Sequence, residues 1–112
     1  MSTAPPLLLT REQASRLHAY LQTYRRYAFS ALLPGADRNT TLRVLQTMQG
    51  KLIDVIDQKT APFRLVLTME ERTTLKAITA ELLSLYAQES ASEERNAILA
   101  DLAALRASLK QY

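Results

Sequence analysis

Residues 20–29 read YLQTYRRYAF, and this interleaving of tyrosine and arginine is the part of the chain that most invites a chemical reading. Aromatic rings and guanidinium groups sharing one accessible face would make a stacking platform for single-stranded nucleic acid. If the segment is helical, each residue advances about 100° around the axis, and the cluster divides. Tyr24 then joins Ala14, Leu17, Leu21 and Ala28 on the apolar face. Arg16, Tyr20 and Tyr27 fall along one border, Arg25 lies on the other border beside His18 and Phe29, and Arg26 points to water. What survives is a narrow stripe of Arg16, Tyr20 and Tyr27, and tyrosines on a helix border commonly bury the ring and keep the hydroxyl wet.

Other reactive residue types lack the company that catalysis needs. His18 is the only histidine, and no carboxylate stands three or four residues from it. The pairs Glu70-Glu71 and Glu93-Glu94 precede apolar periodic runs, where they favour a helix N-terminus, and neither begins the Glu-x-x-His spacing of a di-iron bundle. The chain contains no cysteine and no glycine-rich phosphate loop. The expectation is therefore a protein that is not an enzyme and carries no cofactor, metal or small-molecule substrate.

A repeated Arg-Asn is more informative. Arg38 and Arg95 each precede an apolar helical run by the same spacing and project toward the core side of the first turn. One reading is that each arginine donates to the free carbonyls at the end of the preceding helix and closes a hairpin. The other is a paired-arginine end that binds an acidic group.

The elements that must hold these residues follow from punctuation and periodicity. Thr10 with Gln13 and Thr68 with Glu71 have capping-box spacing. The reading is a helix over about 11–32, stopped by Pro34-Gly35, and a second from about 37–40 to 58, with Leu42, Leu45, Met48, Leu52, Val55 and Ile56 inward. Gly50 inside that run is read as costing about 1 kcal/mol relative to alanine and as a candidate mark of close helix contact. The pattern fails near Lys59-Thr60, Pro62 disfavours helix at Ala61, and FRLVL reads as an extended connector. A third helix opens at Thr68 with Leu75, Ile78, Leu82, Leu85 and Tyr86. A fourth follows a cap at Ser90 or Ser92, with Ile98, Leu99, Leu102, Leu105 and Leu109 inward.

The two halves also resemble each other. LLLTREQASRLHA (7–19) aligns with LVLTMEERTTLKA (65–77), and one residue of slip later RNTTLRVLQTMQGKL (38–52) aligns with RNAILADLAALRASL (95–109). The fold expected is all-α: one helical domain over 1–112, a four-helix bundle of two tandem αα-hairpins with an internal pseudo-two-fold. The first hairpin covers about 7–58, the connector 59–67 and the second about 65–110. That connector also lets the extended arms PLLL and RLVL lie side by side.

Charge frames the functional expectation. The net charge is +3, but residues 1–64 carry nine Lys/Arg against four Asp/Glu, and residues 65–112 carry five against seven. PPLLLT is too short for a signal peptide or a span, so a soluble, cytoplasmic protein is expected. The leading expectation is a protein–protein interaction, adaptor or assembly module, binding another protein or itself. Arg16, Tyr20, Tyr27 and Phe63 are its candidate contacts, with Phe29 and Val66 as further apolar border residues. The alternative is an accessory subunit of a nucleic-acid complex, with Arg11, Arg16, Arg25, Arg26, Arg38, Arg43 and Lys51 as candidates for phosphate. Arg95 joins Arg38 as a candidate for an acidic group.

Overall fold

The computed structural model describes residues 7–31, 35–58 and 63–110. Four long helices follow one another: α1 (Arg11–Ala31), α2 (Ala36–Ile56), α3 (Met69–Ala87) and α4 (Glu93–Lys110). Two three-residue strands, β1 (Leu7–Leu9) and β2 (Phe63–Leu65), precede α1 and α3. Contacts divide the chain into two units, residues 1–71 and 72–112. The expected positions Leu32, Pro34 and Lys59 through Pro62, and the side chain of Phe63, lie outside the described residues.

In the first unit the capping box at the head of α1 is closed in both directions. The Gln13 N–H donates to Thr10 Oγ1 at 3.0 Å, and the Thr10 N–H donates to Gln13 Oε1 at 2.8 Å. Two donors that the helix itself cannot satisfy are thereby paired. α1 buries Ala14, Leu17, Leu21, Tyr24 and Ala28, the stripe expected from a period of 3.6 residues. α2 packs against it as a helical hairpin and buries Leu45, Met48, Leu52 and Val55. Leu42 and Ile56 stay half-buried, and Val44 and Gln49 are buried instead. Gly35 starts α2 at φ 153° and ψ −170°, a conformation that L side chains rarely adopt.

Gly50 does not mark a close contact. The residue is exposed, and a Cβ there would meet nothing within 4 Å. A glycine in a helical pattern signals either close approach or tolerated backbone entropy, and here it is the latter.

β1 and β2 pair antiparallel in the register Leu7↔Leu65, Leu8↔Arg64, Leu9↔Phe63. The extended arms do lie side by side. Side chains alternate across the ribbon, so Leu7 and Leu65 are buried while Leu8 and Arg64 face out. β2 packs against α2, and the Lys51 ammonium donates to the Val66 carbonyl at 3.0 Å just beyond the strand.

The second unit holds α3 from Arg72 onward and α4, which pair as a hairpin. Leu75, Ile78 and Leu82 are buried on α3, and Leu102 and Leu109 on α4. Leu85, Tyr86, Ile98, Leu99 and Leu105 are half-buried. Ser92 is the cap of α4: its Oγ accepts the Arg95 N–H at 3.0 Å. Two polar residues are buried contrary to their types, Arg72 and Thr79, and Thr79 satisfies its hydroxyl by donating to Leu75 O at 2.7 Å. No helix among the described residues is long and apolar enough to cross a membrane.

Candidate functional site

The tyrosine and arginine cluster separates on α1 as the helical angles require. Tyr24 is buried and its ring lies 5.7 Å from that of Tyr27, tilted 45°. Tyr20 and Tyr27 are half-buried, Arg16 is exposed, and Arg26 is exposed on a different side from Tyr24. The four residues Tyr24, Arg25, Arg26 and Tyr27 therefore do not share one face of the helix.

The arginines of the basic half are largely engaged within the fold. Arg25 donates to Gln49 Oε1 at 3.4 Å, and Gln49 donates in turn to Gln22 Oε1 at 2.8 Å. This network accounts for a glutamine buried between the helices of the first hairpin. Arg43 pairs with Glu70 at 2.9 Å, both side chains more than half exposed, and Arg11 donates to the Gln58 carbonyl at 2.5 Å. Lys51 pairs with Glu71 at 2.5 Å.

Glu71 is a buried and closely held charge. It is the reciprocal member of the second capping box: the Glu71 N–H donates to Thr68 Oγ1 at 3.1 Å, and Glu71 Oε1 accepts the Thr68 N–H at 2.8 Å. Burial pushes its carboxyl pKa up, but the Lys51 ammonium and the Thr68 donors outweigh that and hold it below the ordinary carboxylate value. Its Oε2 is buried with no hydrogen-bond partner among the described residues. Arg43, Val44, Thr47, Lys51, Thr68 and Glu70 complete the depression beside it, of about 270 Å³.

Arg38 and Arg95 occupy matching positions. Arg38 Nη1 donates to the Phe29 carbonyl at 3.3 Å, and Arg95 Nη1 donates to the Ala87 carbonyl at 3.5 Å and the Glu89 carbonyl at 3.0 Å. Each arginine thus donates to a backbone carbonyl near the C-terminal end of the helix that precedes it. The Arg38 guanidinium also lies over the Phe29 ring, 4.9 Å from its centroid. Phe29 is 61% exposed, and with Gln22, Arg25, Arg26 and Ser30 it lines an open depression of about 430 Å³.

Exposed apolar side chains supply the other surface feature. Leu8, Phe29, Val66 and Met69 are more exposed than covered, Met69 reaching 72%, Ile53 is close to half exposed, and all five belong to the first unit. Sequence reasoning identified Phe29 and Val66 and missed Leu8, Ile53 and Met69. Alternation on the ribbon could have found Leu8, because Leu7 and Leu8 cannot both face inward. Among the described residues no group of three or more His, Asp or Glu is placed to hold a metal ion. No family model matches the chain, and no curated protein and no solved structure matches it.

Proposed function

We propose that this chain is a small non-enzymatic helical module whose work is protein–protein interaction or assembly. One observation carries the reading: five large apolar side chains stand exposed on the first unit, while four of the cations that would serve nucleic acid, Arg25, Arg38, Arg43 and Lys51, are engaged with intramolecular acceptors. Exposed apolar side chains are most useful against another protein surface. A phosphate-binding face requires its cations free to approach the backbone of the nucleic acid.

We infer further that the module arose by duplication of one helical hairpin, the origin of the four-helix bundle expected from the sequence. Supporting this are the two capping boxes at Thr10 and Thr68 and the bonds of Arg38 and Arg95 to carbonyls near the ends of the preceding helices. Short leader strands, β1 and β2, precede both first helices, with the aligned residues Leu7 and Leu65 directly opposite each other.

The test is affinity capture of the tagged protein from its native host at low and high salt, with and without nuclease. The expected result is a protein retained at high salt after nuclease treatment, and lost when Leu8, Val66 and Met69 are changed to serine or glutamine. Recovery of nucleic acid alone, only at low salt, would overturn the reading in favour of the phosphate-binding alternative.

A further inference from the structure

We propose that the depression on α1 lined by Gln22, Arg25, Arg26, Phe29 and Ser30 is a docking socket for a second copy of this chain. Its occupant is the acidic turn Glu89–Glu94 that joins the other copy's α3 to its α4. The proposal rests on the interaction reading above and names its partner.

The socket is built rather than incidental. Phe29 is held at its backbone by the Arg38 bond to its carbonyl, and its ring is backed by the same guanidinium at 4.9 Å. Arg25 is aimed by Gln49, which is itself fixed by Gln22. Side chains already ordered lose little freedom when a partner arrives. Arg26 is exposed and has no side-chain hydrogen bond among the described residues. No carboxylate lines the depression, so it presents cations around one exposed ring. An acidic segment without bulky side chains is the complement.

The chain supplies such a segment. Residues 89–94 read ESASEE, and all six are exposed. Glu89, Glu93 and Glu94 carry the charge, and Ser90, Ala91 and Ser92 between them are small enough to approach the Phe29 ring. The nearest cation, Arg95, is turned onto the Ala87 and Glu89 carbonyls and onto Asn96 Oδ1 at 2.9 Å, so hydrogen bonds orient it away from a role as counter-ion to those glutamates. The same asymmetry marks the sequence at large, where residues 1–64 are basic in balance and 65–112 acidic. Each copy carries both a socket and a turn, the two complementary parts that a symmetric dimer uses twice. A single stacked peptide-like contact also suits the socket better than nucleic acid, which would need a run of rings and free cations along its backbone.

The experiment measures mass by sedimentation equilibrium on the full chain at about 20 mM and about 500 mM salt, conditions that span weak and strong screening. The expected result is a dimer at low salt whose dissociation constant rises at least about tenfold at high salt. R25E/R26E and E89K/E93K are each expected to be monomeric, and an equimolar mixture of the two to recover a heterodimer through the exchanged charges. Because R25E removes the Gln49 bond, R26E alone and Phe29→Ala serve as second variants. Neither touches that network, and circular dichroism melting verifies that all are folded. A wild-type chain that stays monomeric at several hundred micromolar, folded variants that still dimerise, or a mixture that stays monomeric overturns the proposal. If the wild type is monomeric yet a host protein is captured at high salt, the socket assignment falls and the interaction reading stands. If neither association occurs, both fall.

Discussion

Glu71 shows how one carboxylate can be kept charged where burial opposes it. Lys51 and the Thr68 donors lower its pKa below the unfolded value, so the folded state binds the proton less readily than the unfolded chain. Its contribution is therefore complete above the ordinary glutamate pKa of about 4.3 and is lost as pH falls through the lower folded value. Denaturant melts at neutral pH are expected to find Glu71→Gln less stable by about 1–3 kcal/mol. That gap should close progressively below about pH 4.3, and a gap independent of pH would contradict the account. The two glycines make an opposed pair at the same scale. Gly35 sits in a glycine-only conformation at the start of α2, so Gly35→Ala is expected to cost about 1–3 kcal/mol. Gly50 lies in an exposed helix interior with open space around it, so Gly50→Ala is expected to stabilise by about 0.5–1 kcal/mol. Equal effects at the two positions would show that the backbone argument is wrong.

The helices owe their boundaries to short-range chemistry that is visible in the chain, and this is why they were legible. Thr10 with Gln13, Thr68 with Glu71, and Ser92 start helices through bonds spanning three residues, and the leucine stripes on α1 and α3 fall inward as their spacing demands. What spacing cannot show is which polar groups another element will satisfy. Gln49 is buried because Gln22 and Arg25 reach it, and Glu71 because Lys51 does, and all three partners lie twenty or more residues away. The ribbon was half legible: its strands were readable as extended arms, but its register depends on pairing distant in sequence. The arginines at the two hairpin turns sharpen the same point. Residue spacing placed Arg38 and Arg95 at the first turns of α2 and α4 and left closure and acid binding as alternatives, whereas the acceptors Phe29 O and Ala87 O favour closure. Arg38→Ala and Arg95→Ala are therefore each expected to lower stability by about 1 kcal/mol with helix content unchanged. A variant with unchanged melting temperature would return that arginine to the pool of candidate binding residues.

Considered as a whole, the molecule has the composition of a weak polyanion binder, while several cations of its basic half are paired within the fold. Its excess of cations is real, with fourteen Lys and Arg against eleven Asp and Glu. A phosphate backbone, however, responds to cations that share a face and are free to approach it, because affinity comes from releasing condensed counterions one contact at a time. Here Arg43 is paired with Glu70, Lys51 with Glu71, and Arg38 and Arg11 with backbone carbonyls. The Arg43 pair is solvent-exposed and worth no more than about 1 kcal/mol, so a polyanion could recruit that arginine, but recruiting Lys51 would strand a buried carboxylate. Binding to random-sequence duplex DNA, followed by fluorescence anisotropy, is thus expected to fade by about 0.15 M salt. The slope of log affinity against log salt should be shallower than about −3, the mark of few phosphate contacts. A slope steeper than that, lost on neutralising Arg25, Arg26 and Arg43 together, would mean that the intramolecular pairs open when nucleic acid arrives. The basic half, rather than the exposed apolar side chains of the same unit, would then be the working surface of the protein.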